Sequence, residues 1–324
     1  HYRDTYDPDY MEWHALDSHR DDDKDSDWGL WCHTNFALVS PEEYGETNPE
    51  YFSMINGKRT TDNSDICLSN PEVFEIAYHS LKELIESKPE VNYWSVSQMD
   101  NDRYCRCPEC SAANEKAGGP MGTILPFINK MARKFPDKTI STLSYWYSTK
   151  PPKDIVPEEN VNIMLCNIGT PRHIPIQDGD PSFCNDLEGW NKLTDNILLW
   201  DYIVNFSHLI APFPNLRTLQ PNLQYLNSNS VVAMFEQGNR EIGGEFSELR
   251  AYLIAKLMWN PSININEVMN DFLNGYYGAA GKHIREYIEL LHDEMEQTEA
   301  KLSIFGQPYE AMDTFLSEEL IEKY

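Results

Sequence analysis

A (β/α)8 barrel with a C-terminal helical extension is the fold class this sequence predicts, and three observations predict it. Short apolar runs alternate with longer amphipathic ones, as successive β-α units require. The length of 324 residues suits one large barrel plus an appendage better than two equal domains. Three apolar runs also end on an acid: Val91 to Asp100, Asn196 to Asp201 and Val231 to Glu236. In a parallel barrel, functional side chains emerge where strands stop, so such acids collect on one rim.

The strands are expected at Gly29–Leu38, Asp65–Leu68, Val91–Gln98, Thr139–Trp146, Val161–Cys166, Ile197–Trp200 and Val231–Phe235. An eighth would finish near Arg3, having begun upstream of His1. Between them, Asn70 can cap a helix with Pro71 at its first position and Phe74, Ala77, Leu81, Leu84 and Ile85 on one face. Ser247 opens another helix, with Leu249, Tyr252, Leu253 and Leu257 on one side, halted at Asn260-Pro261. Beyond that proline, Met269, Phe272, Leu273 and Tyr276, then Ile284, Tyr287, Leu291 and Met295, give two more helices parted by Gly278 and Gly281. The expected division is therefore a barrel over residues 1–261 and a helical extension over 262–324.

Charge narrows the partners. A formal net charge of -26, from 52 acids against 26 bases, repels phosphate backbones and anionic membranes, so nucleic acid is not an expected partner. No apolar stretch reaches the ~20 residues of a membrane-spanning helix. The chain opens on His1 without a basic and apolar leader, as a mature chain or an excised segment would. The acidic run Asp21 to Asp25 is expected to be a solvated loop. With no G-x-G-x-x-G, no dinucleotide or other organic cofactor is expected, and without G-x-S-x-G a serine hydrolase lacks support. Oligomeric state is not legible.

The acid pair expected to matter most is Asp201 and Glu236, on consecutive strands; Asp100 is the third candidate, with Asp102 two residues on. Glycosidic hydrolysis needs a protonated carboxyl to assist the leaving oxygen and a carboxylate to act at the anomeric carbon or through water. Aromatic rings at strand ends offer faces for sugar rings: Tyr145, Trp146, Trp200 and Tyr202. His33 and Arg240 join them as candidate substrate ligands, and Arg3 and Arg172 as bases that could hold a uronate. The expected substrate is an oligosaccharide or polysaccharide, and the alternative is a non-catalytic carbohydrate-binding barrel.

Cys105, Cys107 and Cys110 lie within one short turn. With Cys67 as a fourth ligand they could hold a structural Zn²⁺, closed to water; a disulfide plus a free thiol is the alternative. Cys166 and Cys184 either pair or stay reduced.

These segments resemble a bacterial, glycoside-hydrolase-like family known as domain of unknown function 4838. The resemblance rests on Cys67 to Val73, Ser97 to Asp100, Tyr104 to Cys110, Leu198 to Tyr202 with Asn205-Phe206, Phe235 to Gly238, Gly243 to Phe246, Leu249 to Tyr252 and Tyr276 to Gly278. It implies a periplasmic or extracellular location. More distantly, the layout is similar to the α-glucuronidases of glycoside hydrolase family sixty-seven, which implies inversion with Asp100 as the acid and Asp201 and Glu236 holding the water. An Asp in place of that family's Glu at the fourth strand is a departure. The cysteine spacing is similar to the zinc site of family forty-two β-galactosidases, which implies Cys67 as the fourth ligand.

Overall fold

The computed structural model describes residues 26–239 and 243–324. Among them are eight strands: β1 (Trp28–Leu30), β2 (Met54–Ile55), β3 (Lys58–Arg59), β4 (Tyr93–Ser95), β5 (Thr139–Ser144), β6 (Val161–Cys166), β7 (Ile197–Tyr202) and β8 (Val231–Gln237). The longer helices are α1 (Pro71–Ser87), α2 (Pro108–Ala117), α3 (Met121–Lys134), α4 (Pro181–Asn191), α5 (Leu216–Asn227), α6 (Ser247–Trp259), α7 (Ile265–Tyr277) and α8 (Gly281–Glu296).

The closed barrel is not what forms. Six strands make one open sheet in the order β1-β4-β5-β6-β7-β8, and β2 pairs only with β3 in a separate antiparallel hairpin. Where the sequence suggested a strand at Asp65–Leu68, only an isolated antiparallel bridge joins Ile66 to Phe52. The reason is local: this stretch carries Cys67, and the hairpin segment and the cysteine turn take it over. The strand expected at Gly29–Leu38 stops at Leu30, because His33 turns left-handed (φ 55°) and Asn35–Leu38 coils into one helical turn. The eighth strand expected near Arg3 lies outside the described residues.

The chain divides into two compact units, one of described residues 26–166 with 186–199, the other of 167–185 with 200–324. In the first, β1, β4, β5 and β6 run parallel, in register from Tyr93↔Thr139 to Ser144↔Leu165. Their runs are buried almost throughout, as parallel strands require. A polar row crosses one face: Ser141 donates to Asn162 (2.9 Å), and Asn162 to Asn196 (2.8 Å). Gly29 has no room for a side chain, since a Cβ there would sit 2.3 Å from the Trp94 ring. Asn70 caps α1 by accepting from the Glu72 N–H, with Pro71 first in the helix, and Val73, Phe74, Ala77, Leu81 and Ile85 are buried.

In the second unit, α5, α6, α7 and α8 build a helical core around Leu219, Leu253, Leu257, Leu273 and Ile288, against which Met234 of β8 packs. α6 ends at Asn260, before Pro261, as its sequence dictates. A 3-10 turn at Gly278–Ala280 separates α7 from α8. No helix among the described residues is long and apolar enough to cross a membrane.

Candidate functional site

Asp201 and Glu236 come near each other in the second unit, with Arg172 paired to Asp201 and its charge felt by Glu236. Asp201 is 4% exposed and takes Arg172 Nη1 at 2.5 Å and its neighbour Tyr202 N–H at 2.7 Å. Arg172, equally buried, also donates through Nη2 to the Asn167 carbonyl (2.6 Å) and side-chain oxygen (3.2 Å). A buried pair of this kind survives only because further hydrogen bonds satisfy it. Glu236 is different. Its residue as a whole is partly exposed, yet both carboxyl oxygens are sealed from solvent and have no hydrogen-bond partner, as do Arg172 Nε and Asn167 Nδ2.

Burial above all, then the negative Asp201, pushes the Glu236 carboxyl well above its ordinary value, with Arg172 opposing. Two carboxyl groups thus occupy opposed environments: one ion-paired to a guanidinium, the other desolvated with its pKa raised. That divergence separates an acid from a base in carboxylate-pair enzymes.

Strand alternation sorts the neighbours. Asp201 shares its face of β7 with the fully buried Ile197 and Leu199, while Trp200 and Tyr202 occupy the other. On β8, Glu236 falls with Met234, and Phe235 and Gln237 with the aromatic face. There Trp200 stacks on Tyr202 (6.2 Å), meets Phe235 edge-on (4.8 Å) and donates its indole N–H to Gln237 Oε1 (2.8 Å). The Arg172 guanidinium lies 5.9 Å from the Tyr202 ring. Arg240, expected as a substrate ligand, lies outside the described residues, as does Arg3.

Asp100 belongs to the first unit and sits among other residues expected at a site. It is exposed, and its Oδ1 accepts from the Tyr145 hydroxyl at 3.1 Å. Desolvation and the Asp100 charge raise the Tyr145 pKa, keeping that hydroxyl a donor. The His33 ring stands 5.9 Å from Tyr145, with Nδ1 2.8 Å from the Gln98 carbonyl. Trp146 follows at 51% exposure. Both His33 (φ 55°) and Trp146 (φ 52°) hold left-handed backbone, a conformation costly for such bulky residues and concentrated at working sites. Sequence patterning did not reveal Gln98, which donates to the Tyr145 carbonyl (3.1 Å) and accepts from Ser148 (2.5 Å). It also missed Asp65, fully buried and taking the Asn35 amide (2.7 Å) and the Met99 N–H (2.9 Å). An acid that opens a short apolar run carries no periodic signal.

The cysteine cluster also lies in the first unit. The sulfurs of Cys67, Cys105, Cys107 and Cys110 are buried and lie within 4.8 Å of one another. Cys67 Sγ stands 3.6, 3.7 and 3.9 Å from those of Cys105, Cys107 and Cys110. Four thiolates around one tetrahedral ion at about 2.3 Å stand about 3.8 Å apart, whereas a disulfide needs about 2.05 Å. The Met54 N–H (3.3 Å) and Arg59 Nη1 (3.6 Å) donate to Cys105, which favours the negative thiolate over the thiol. The donor set therefore fits a metal ion. All seven cysteines are free, so Cys166 and Cys184 are not joined.

An open α/β sheet with carboxylates at strand ends and a four-cysteine cluster defines the class. The family model of a domain of unknown function, DUF4838, matches residues 1–289, and the chain belongs to that family. No curated protein matches it. A solved structure that matches 74% of the chain, at 12% identity and a TM-score of 0.43, is that of a glycoside hydrolase family 138 enzyme targeting pectin rhamnogalacturonan II. The match covers 29% of that enzyme's chain.

Proposed function

We propose that the chain is a glycoside-hydrolase-like module acting on glycans, with Glu236 as the proton donor and Asp201 as the ionised carboxylate. The observation that carries this is the split between their environments: both Glu236 oxygens are sealed and without a hydrogen-bond partner, which raises that carboxyl's pKa, while Asp201 is tied to Arg172. In hydrolysis, the Glu236 proton passes to the glycosidic oxygen as its bond to the anomeric carbon breaks. Water adds to that carbon and yields its proton to Asp201. Inversion is the finer expectation, and it requires the two carboxyl groups about 6.5–9.5 Å apart. Specificity like that of an α-glucuronidase gains nothing from Arg172, whose terminal nitrogens are taken by Asp201 and Asn167. Asp100, with Tyr145, His33 and Trp146, is proposed as a set of sugar-hydroxyl and ring contacts, as are Trp200 and Tyr202. The four cysteines are proposed to hold a structural Zn²⁺, which would cross-link the loop after β4 to the segment before α1.

One observation favours a second reading. The sealed oxygens of Glu236 and the helix-side face it shares with Met234 suit a structural charge cluster, in a protein that binds glycans without cleaving them. A glycan-library turnover assay separates the two. Turnover reduced at least ~100-fold in both Glu236→Gln and Asp201→Asn supports the hydrolase. Glycan binding without turnover by the unaltered protein refutes it.

A further inference from the structure

The loops that follow β1, β4 and β5 lie side by side in the first unit, because these strands are parallel neighbours in the sheet. They carry His33, Asp100 and the pair Tyr145-Trp146, and one buried residue ties them together. Gln98, 3% exposed, donates its amide to the Tyr145 carbonyl (3.1 Å) and accepts the Ser148 hydroxyl on its side-chain oxygen (2.5 Å). Its main-chain carbonyl accepts from His33 Nδ1 (2.8 Å), and Ser148 in turn accepts the Tyr145 N–H (3.0 Å). These bonds hold His33 and Trp146 in left-handed backbone, φ 55° and 52°, a strain that persists only where the surroundings over-determine it.

The protons already committed inside the cluster define what it can still offer. A carbonyl has no proton, so the one between His33 and Gln98 belongs to Nδ1, and Nε2 of the neutral ring carries a lone pair. That Nε2 has no partner among the described residues and is not sealed from solvent. The Tyr145 hydroxyl gives its proton to Asp100 Oδ1 (3.1 Å), and the exposed carboxylate keeps further lone pairs. Of the nearby amides, that of Gln98 is committed to Tyr145, and that of Asn101 donates to the Ser64 carbonyl (2.9 Å). What remains is a set of acceptors beside an indole, that of Trp146, which is 51% exposed. A metal ion also seeks acceptors, yet among the described residues only the four cysteines gather three or more His, Cys, Asp or Glu ligands.

We propose that this cluster recognises the hydroxyls of a neutral sugar and rejects a uronate. The inference rests on the glycan-acting reading above and adds to it the class of sugar. Two hydroxyls donate, one to His33 Nε2 and one to Asp100, while the CH face of the same ring stacks on Trp146. An ionised uronate brings no proton in its carboxylate and meets the like charge of Asp100, so it is disfavoured.

The test is titration calorimetry at pH 7 on the full 324-residue chain. The probes are tetramers of glucuronate, galacturonate and mannuronate, each as free acid and as methyl ester, with the corresponding neutral hexose tetramers. Acid and ester share their ring hydroxyls and differ in charge. At least one ester or hexose tetramer should bind, and the ester should bind about fivefold or more tightly than its acid, the effect of two like charges about 4 Å apart in water. Asp100→Asn should bring acid and ester to within about twofold and weaken neutral binding about tenfold. His33→Asn, which suits the left-handed backbone, should weaken neutral binding similarly and leave the acid-to-ester ratio unchanged. Asp102→Asn should alter neither. In long-range proton–nitrogen spectra a bound neutral tetramer should move the His33 Nε2 resonance. Circular dichroism and melting temperature confirm that each variant is folded.

An acid that binds as well as its ester overturns the inference, and so does a preference that survives Asp100→Asn or falls equally in Asp102→Asn. Tighter uronate binding that is lost in Arg103→Gln overturns it in favour of that cation, and binding only with added Ca²⁺ overturns it by making the pair metal ligands. All of these leave the glycan-acting reading intact, whereas no binding by any probe sinks both. The expected preferences without turnover support the inference and sink the hydrolytic assignment alone.

Discussion

Removing the Arg172 guanidinium tests the charge cluster most directly. In Arg172→Met the stem and its volume largely remain, while Asp201, with 5% of its side chain exposed, is left as a buried charge beside Glu236. Breaking such a pair by deleting one partner costs about 3–5 kcal/mol, because the remaining charge is desolvated without compensation. The loss of Nη2 from the Asn167 carbonyl and side chain acts in the same direction. Neutralising the orphan should recover most of the cost, so the double variant Arg172→Met/Asp201→Asn should be about 2 kcal/mol or more better than the sum of the single changes. Urea denaturation at pH 7, followed by tryptophan fluorescence and circular dichroism, measures all four corners of the cycle. A loss under about 1 kcal/mol for Arg172→Met, or a coupling near zero, would show that this pair is solvated and refute the argument.

Three further outcomes are expected. Cys107→Ser should abolish binding of one metal ion per chain, read by elemental analysis, and lower the melting temperature by about 5 °C or more; an unchanged metal content would count against the site. Gly29→Ala should cost about 1–3 kcal/mol, since its Cβ would meet the Trp94 ring at 2.3 Å; a neutral result in urea would mean that the indole can move. Burial depresses the pKa of His292, whose Nε2 accepts the Leu216 N–H at 3.0 Å while Nδ1 faces the Ile288 carbonyl at 2.7 Å. The unfolded chain therefore binds the proton more readily, and stability present above the ordinary histidine pKa near 6.5 falls as pH drops through the lower folded value. The urea midpoint should decline from pH 7 to pH 5, and His292→Gln should flatten that decline; parallel pH curves for both proteins would refute the assignment.

The sequence placed five of the sheet's six strands, because their apolar runs are long enough to declare themselves, and Val161–Cys166 matched end to end; the run expected at Gly29–Leu38 meets β1 only at Gly29 and Leu30. It misjudged Asp65–Leu68, where an acid and three apolar-leaning residues adjoin a cysteine site rather than a ladder. Spacing brought Cys105, Cys107 and Cys110 together on the page, and Cys67, expected as the fourth ligand, joins them in the fold. Arg172 stood out merely as a base that could hold a uronate. Nothing in its neighbours along the chain shows that it closes on Asp201, 29 residues away.

By itself the sequence determined the alternation of strands and helices, the acids at the ends of β7 and β8, and the caps and prolines that bound α1 and α6. These follow from local forces: periodic burial, backbone sterics and helix-end hydrogen bonding. Tertiary structure alone decided that the described sheet stays open, that Asp201 and Glu236 lie on the face opposite Trp200 and Tyr202, and that Arg172 closes on one carboxyl while burial raises the pKa of the other. Each depends on which distant group arrives beside it, and desolvation and charge proximity act through space rather than along the chain.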